Sequence, residues 1–226
     1  TNREGEDNVG LGSHADFRAN GMSNPSLNRG TVFVGAYSEV DRNFGITLGY
    51  YSKAFGTGTI GMGAYNVVDA GSEYSIGLGY NGESLSSKNT ISIGDNYSTW
   101  YSNNGISIGK STYLFNTQNT IIIGSNGTSM ANRAIGIGDQ VDVDGAYSIA
   151  IGAGITIGDT VTNGVAIGKH ARVTSSNALS LGADTLPLRL GIGTSAPNPY
   201  AAIDLAESTK GILLNRVSDT QLSSLE

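Results

Sequence analysis

One short motif recurs along the chain at intervals of about fifteen residues, and this repetition constrains the fold more than any other feature. The clearest copies lie in residues 88–124, where a turn containing Asn leads each time into an apolar-x-apolar-Gly tetrapeptide: residues 91–94, 106–109 and 121–124. Repetition at a short, fixed period is the signature of architectures in which each copy forms one layer stacked on the next. The sequence therefore predicts a solenoid.

The glycine that closes the motif marks the register of the repeat over most of the chain. It stands at Gly12, Gly35, Gly49, Gly63, Gly79, Gly94, Gly109, Gly124, Gly138, Gly152, Gly168 and Gly182. Ten of the eleven intervals between these glycines are 14 to 16 residues long, and the first is 23 residues. Turn-forming residues at positions 20–25 predict a surface loop within that long first interval.

Alternation of apolar residues within each copy indicates strands rather than helices. Two apolar residues, such as Ile91 and Ile93, lie two positions apart and share one face of a strand. A weaker pair follows three and five residues after the closing glycine, as at Val141 and Val143. Each coil thus supplies two short strands, and stacked coils pair them in parallel about 4.8 Å apart.

These patterns predict an all-β fold and three segments. Residues 9–186 form a parallel β-roll of about twelve coils of 14–16 residues each, with an N-terminal lead-in at residues 1–8 and a short connector at residues 187–226. The middle residue of the motif is predicted to face outward, and it is uncharged in every copy. It is small at Gly77, Ser92, Ser107, Gly136, Ala150, Ala166 and Ser180.

The stripe of small residues suggests how the roll assembles. A solvated strand face normally includes charged side chains, whereas a row of small uncharged residues allows another backbone to approach closely. We interpret the stripe as the packing surface of a homotrimer arranged around a three-fold axis. The alternative is a solvent-exposed face rich in Gly and Ser.

Two copies of the repeat carry a family resemblance. The segments SIAIGAGITIG (residues 148–158) and GVAIGKHARV (residues 164–173) resemble the head repeats of YadA-like trimeric autotransporter adhesins. The resemblance extends over roughly residues 9–186 and implies a left-handed parallel β-roll that trimerises. The general rule for parallel crossovers would give the right hand instead. Under this resemblance the chain would be the head of a bacterial cell-surface adhesin.

The C-terminal segment resembles another family. The sequences LGIGTSAP (residues 190–197) and STKGILLNRV (residues 208–217) are similar to a segment of phage tail fibres and contractile-injection fibres, especially those of Bacteroidota and their viruses. This resemblance implies a trimeric fibre of the virion whose partners are itself, other fibre or tail proteins, and a host-surface glycan or protein. Within the segment, residues 201–205 are predicted to form a strand and residues 219–226 to start a helix.

Composition argues against several classes of function. The chain has no Cys, so a disulfide, a thiol nucleophile and a Cys-ligated metal are ruled out. The net charge is −6 and the Lys and Arg residues are scattered, which leaves no basic footprint for nucleic acid. No membrane span is expected, because no run of about 18 apolar residues exists. We also expect no metal and no cofactor. The chain starts without Met or a signal-peptide pattern, which indicates a piece of a longer protein.

Residues with catalytic potential are few. Asp139, Asp142 and Asp144 form the densest acidic cluster. Asp142 and Asp144 would share a strand face about 7 Å apart, a spacing compatible with glycoside hydrolysis, so a fibre-borne polysaccharide depolymerase is an alternative. A convex rod offers no cleft for such a reaction. Acyltransferases with a hexapeptide β-helix need coils of eighteen residues, so the shorter coils here count against that class. The chain is predicted not to be an enzyme.

Aromatic residues are the best candidates for contacts with a receptor. Tyr37, Tyr50, Tyr51, Tyr65 and Tyr80 fall at or just past a closing glycine, and residues 97–101 form the turn richest in aromatic rings. Exposed rings stack on sugars and dominate contacts between proteins. Tyr97, Trp100 and Tyr101 are predicted as receptor contacts, with packing over turns or between protomers as the alternative.

Overall fold

The computed structural model describes residues 8–17, 30–183 and 185–206. The predicted loop at 20–25, nearly all of the lead-in, the motif at 208–217 and the predicted helix at 219–226 lie outside these residues. The chain divides into two units, Thr1–Leu186 and Pro187–Glu226.

The described residues form 24 strands and no helix. The first eight strands are β1 (Val9–Leu11), β2 (Asp16–Phe17), β3 (Val32–Val34), β4 (Glu39–Val40), β5 (Ile46–Tyr50), β6 (Lys53–Ala54), β7 (Ile60–Ala64) and β8 (Val67–Val68). The next eight are β9 (Ile76–Tyr80), β10 (Glu83–Leu85), β11 (Ile91–Asp95), β12 (Ser98–Trp100), β13 (Ile106–Lys110), β14 (Tyr113–Phe115), β15 (Ile121–Ser125) and β16 (Thr128–Ser129). The last eight are β17 (Ile135–Val143), β18 (Ile149–Ile157), β19 (Val165–Ile167), β20 (Arg172–Val173), β21 (Leu179–Ala183), β22 (Leu186–Pro187), β23 (Leu190–Ile192) and β24 (Ile203–Leu205).

Each strand of the roll pairs in parallel with the equivalent strand one coil further along the chain. β11 lies between β9 and β13, which places Ile91 beside Ile76 and Ile106. In β17 and β18 the two strands of a coil merge into one nine-residue strand that continues through the corner. Among the described residues, 22 strands join into one continuous sheet, wound into about 11 turns. The prediction of an all-β, parallel β-solenoid is confirmed.

The middle residue of the motif points into the roll, so the prediction that it faces outward is wrong. At this position Thr47, Ser92, Ser107, Ile122, Ala150 and Ala166 are at most 1% exposed. Gly77 and Gly136 are also buried, and Ser180 in the last motif is half-buried. These residues therefore cannot form the packing surface of a trimer. The physical reason is the small cross-section of the coil, whose first strand has room inside mainly for Gly, Ala, Ser and Thr.

The interior changes from polar to apolar along the roll. In the middle coils it is lined largely by Ser and Thr, and most of their hydroxyls bond within the coil or to backbone carbonyls of the next coil. Ser92 Oγ lies 2.8 Å from Thr99 Oγ1, and Ser107 Oγ donates to Thr112 Oγ1 at 2.7 Å. An unpartnered buried hydroxyl costs about 1–3 kcal/mol, so these bonds make a polar interior tolerable. Further along, the core consists of Ala131, Ala134, Val141, Val143, Ala150, Ile155, Ile157, Val161, Ala166, Ala171 and Val173.

The closing glycines form a column in which backbone touches backbone. Gly109 lies between Gly94 and Gly124 in the parallel register and has a φ of 136°. A Cβ built on Gly109 would overlap the carbonyl oxygen of Gly124. This backbone region is essentially restricted to glycine. The closing glycine is thus fixed both by its conformation and by the next coil.

Substitution within this column should be severely destabilising. Gly109→Ala is expected to cost at least about 3 kcal/mol or to prevent folding, since strained backbone and overlap with the next coil add together. The measurement is thermal or denaturant unfolding followed by circular dichroism. Gly158→Ala is the matched control, because a Cβ at Gly158 would meet nothing within 4 Å. Equal stability of the two variants would contradict the role assigned to the column.

Candidate functional site

The apolar residues of the motif, rather than the small ones, form the outer surface of the first strands. They lie three and one residues before each closing glycine and stack in register, as Ile93 does beside Leu78 and Ile108. We call these side chains the isoleucine face: Ile46, Leu48, Ile60, Met62, Ile76, Leu78, Ile91, Ile93, Ile106, Ile108, Ile121, Ile123, Ile135, Ile137, Ile149, Ile151, Val165 and Ile167. Its most exposed members, Ile91, Ile123, Ile137 and Ile151, are 37% to 41% accessible.

The isoleucine face is uncharged along its whole length. Contiguous apolar patches larger than a few hundred Å² are rare on monomeric proteins and mark interaction sites. Sequence reasoning identified these residues but assigned them to the interior. The second strand of each coil could have indicated that they lie outside. Its two inward side chains already fill much of the interior of a narrow coil, which leaves little room for large side chains from the first strand.

Tyr97 lies inside the roll, and the prediction that it contacts a receptor from the surface is wrong. Its side chain is 1% exposed. The ring occupies the space beside Gly82, where a Cβ would overlap it. Its hydroxyl donates to Asn66 Oδ1, and Asn66 Nδ2 in turn donates to the carbonyl oxygen of Met62 at 3.2 Å. Burial raises the pKa of Tyr97 well above its ordinary value.

Removing the buried hydroxyl isolates its contribution to stability. Tyr97→Phe should lower the free energy of unfolding by about 1–3 kcal/mol, because Asn66 Oδ1 loses its donor inside the roll. Tyr101→Phe is the control, since Tyr101 is 59% exposed. Denaturant unfolding of both variants measures the difference. If both variants unfolded like the wild type, the buried hydrogen bond would contribute nothing.

Trp100 and Tyr101 lie outside the roll and contact different partners. Trp100 meets Tyr113 edge-on at 5.7 Å between ring centroids, and its buried Nε1 has no hydrogen-bond partner. Tyr101 meets Phe115 edge-on at 6.0 Å. Both rings therefore pack on the following coil. Their contact with a receptor remains a prediction.

A larger group of rings lies at the corner that follows the first strand. These rings, which we call the aromatic cluster, are His14, Tyr37, Tyr50, Tyr51, Tyr65 and Tyr80. Four of them stack in order along the roll, with centroid distances of 4.9 Å, 4.5 Å and 5.5 Å from His14 to Tyr65. Tyr50 and Tyr80 stand edge-on to this stack. Desolvation raises the pKa of Tyr50, and the nearby Tyr65 and Tyr51 raise it further.

Carboxylates of the acidic cluster accept hydrogen bonds from the preceding coil. Asp142 Oδ1 accepts a hydrogen bond from Thr128 Oγ1 at 2.7 Å, and Asp144 Oδ1 accepts one from the Met130 N–H at 2.8 Å. Burial raises the pKa of the Asp144 carboxyl, the Met130 bond opposes the rise, and the charges of Asp142 and Asp159 add to it. Both carboxylates thus take part in hydrogen bonds that link successive coils.

The raised pKa of Asp144 predicts a pH dependence of stability. The folded chain holds this proton more readily than the unfolded chain, so its contribution is fully present below about pH 4 and is lost as pH rises through the folded-state pKa. Asp144→Asn should remove that loss and raise stability at pH 7 by less than about 1 kcal/mol, because solvent screens a half-exposed charge. Thermal unfolding from pH 4 to 8 tests this, with Asp139→Asn as the control. Identical pH profiles for wild type and Asp144→Asn would contradict it.

Two further classes of site are not found in the described ranges. There, no group of three or more His, Asp or Glu side chains is placed to hold a metal ion. No helix in that part of the chain is long and apolar enough to cross a membrane.

The C-terminal unit contains a small parallel pair of strands. β23 and β24 place Leu190 beside Ile203 and Ile192 beside Leu205. This confirms the predicted strand at its last three residues, Ile203–Leu205. Leu190, Ile192 and Ile203 are 40% to 54% exposed. A two-stranded sheet is marginally stable alone, and within residues 187–206 these apolar side chains remain partly exposed.

The comparisons with known proteins bear on this C-terminal unit. A family model described as a phage tail like trimerisation region matches residues 191–226, the last 36 of the 226 residues. No curated protein gave a match to the chain. The match supports the resemblance of the C-terminal segment to phage tail fibres, while the likeness of the roll to YadA heads remains a resemblance. A parallel β-solenoid followed by such a region fits a trimeric structural protein of a tail fibre.

Proposed function

We propose that the chain is a non-enzymatic structural and attachment segment of a trimeric phage or phage-like tail fibre. In this proposal three copies pack their isoleucine faces around a three-fold axis, and the virion carries the fibre. The outer surface of the trimer contacts a host glycan or protein, and the ends of the segment join other fibre proteins. The observation that carries the proposal is an apolar face along the roll, followed in the same chain by residues that match a trimerisation region.

The isoleucine face has the properties that a self-association surface requires. Fully burying an Ile or Val side chain contributes about 1.5–3 kcal/mol. Because even the most exposed of these side chains are about 60% covered within one chain, covering the rest would contribute at most about 40% of that each. Repeated along the face in three chains, this is ample for a stable assembly. Closed cyclic symmetry leaves none of the three faces uncovered.

The non-enzymatic part of the proposal rests on the two carboxylates that could have served glycoside hydrolysis. Asp142 and Asp144 are each engaged by a donor of the preceding coil. Their side chains lie on the outward side of the second strand, where a convex surface would leave a bound sugar open to water. They are better explained as links between coils than as an acid and its partner.

Charge placed on the isoleucine face should disrupt assembly. Wild-type protein should have about three times the 23.3 kDa chain mass by light scattering. Ile137→Lys combined with Ile151→Lys places six ammonium groups against one another in a trimer with little access to water. We expect the variant to have a lower thermal unfolding midpoint. Its trimer should dissociate or separate along the rolls, with β-structure retained in each roll.

Thr156→Lys is the matched control for this experiment. Thr156 is exposed on the second strand of the same coil, between Asp142 and Arg172 in the register, and should tolerate the charge. A wild-type protein that is a stable monomer would overturn the proposed assembly. Release of oligosaccharide from host-surface polysaccharide by the wild type, abolished in Asp142→Asn, would overturn its non-enzymatic character.

A further inference from the structure

The aromatic cluster is built at a corner that several later coils form without rings. Tyr37, Tyr51 and Tyr65 have φ values of 58°, 51° and 54°. In later coils the same left-handed position is taken by Asn81 and Asn96. Asn reaches this backbone region at low cost, whereas a bulky side chain is an outlier there. The tyrosines thus add strain that the corner does not need.

The centre of the cluster is formed by two tyrosines on alternate coils, with a small residue in the coil between them. Tyr50, Ala64 and Tyr80 occupy the same position in three successive coils. Two strand spacings separate the outer two, about 10 Å between their backbones, and the small Ala64 lies between them. Tyr65 contacts both rings edge-on, with centroid distances of 5.5 Å and 6.0 Å.

The two outer rings have accessible surface to offer a ligand. Tyr50 and Tyr80 are 43% and 54% exposed. Their contacts with other rings in the described part of the chain are all edge-type, so no ring stacks on their faces there. Tyr65 fixes both of them from the side. The arrangement is therefore held in place before any ligand binds, and tyrosine loses little entropy on binding.

We infer that the aromatic cluster binds a neutral saccharide chain, with the surface formed by Tyr50, Ala64, Tyr65 and Tyr80 as its centre. This inference rests on the proposed attachment function and names the ligand class and the place of attachment. The faces of Tyr50 and Tyr80 stack on the apolar faces of sugar rings, and the phenol hydroxyls exchange hydrogen bonds with sugar hydroxyls.

The chemistry of the corner favours a neutral glycan over other partners. From residue 36 to residue 81, the two positions that follow each closing glycine carry only Ala, Tyr and Asn. A polyanion would need cationic side chains to bind it. A protein partner would typically be anchored in a closed, desolvated pocket, whereas this surface is open. A ladder of rings spaced by the coil repeat also suits a polymer with repeating units.

Three-fold assembly would strengthen a weak site. A single open platform of this kind gives modest affinity, and a trimer presents it three times on one rod. Engaging several sites at once raises the effective affinity by about 10²–10⁴ without new contacts. A fibre that attaches to a host surface carrying many copies of one glycan would gain affinity in this way.

The test is binding of the full chain to immobilised neutral hexose oligosaccharides, with acidic oligosaccharides in parallel. Tyr50→Ala combined with Tyr80→Ala should weaken binding to the neutral set at least about tenfold, a loss of about 1.4 kcal/mol. The matched control is Tyr74→Ala with Tyr147→Ala, two tyrosines of similar exposure that lie outside the cluster. Tyr50→Phe with Tyr80→Phe should keep most of the binding, since it retains the rings.

Light scattering and thermal unfolding of each variant separate this inference from the proposed function. A wild type that is trimeric but binds no neutral oligosaccharide would overturn the glycan site and leave the fibre proposal standing. Binding lost instead in Trp100→Ala with Tyr101→Ala would assign attachment to these two rings at the end of β12 and overturn the site in the aromatic cluster. A trimer destabilised by the Tyr50 and Tyr80 changes would show that these rings join protomers, which also overturns the inference.

Discussion

The fold depends on the close approach of successive coils at the closing glycine. At Gly109 the backbone lies against the carbonyl oxygen of Gly124, with no room for a side chain. This contact fixes the register of every coil on the next, because a shift by one residue would bring a side chain into the column. Once the register is fixed, alternation decides which residues of each strand point inward. The interior, the isoleucine face and the aromatic cluster all follow from which residues of each strand point inward.

The sequence predicted the period, the parallel pairing and the closing glycines correctly, but it gave the first strand the wrong inward face. Alternation shows which residues share a face and leaves open which face is the interior. The apolar residues were assigned inward, as is usual for a chain that folds alone. Here Ser92 and Ala150 fill the interior while Ile91 and Ile151 lie outside. In the proposed trimer the rule that apolar residues are buried applies to the assembly, and a single repeat does not show where the chain would meet its copies.

At residues 97–101 the structure buries Tyr97 and leaves Trp100 and Tyr101 outside, a difference that this segment considered by itself did not predict. Counting three residues past Gly94 places Tyr97 at an inward position, the same position that holds Val141 after Gly138. The missing side chain of Gly82 in the preceding coil makes the space that Tyr97 fills. Applied consistently, the repeat would have placed this ring inside. The contacts among Tyr50, Tyr65 and Tyr80 required the structure, because ring planes and centroid distances cannot be read from spacing.

In the described residues, both units of the chain leave apolar side chains partly exposed. The isoleucine face runs along the roll, and the pair formed by β23 and β24 exposes Leu190, Ile192 and Ile203. If the trimerisation region joins three chains first, the rolls meet at high effective concentration. Their isoleucine faces then associate within one assembly, which limits contact with unrelated chains. A single feature at the C-terminus would in this way set the stoichiometry of the whole segment, while the roll supplies most of the buried area.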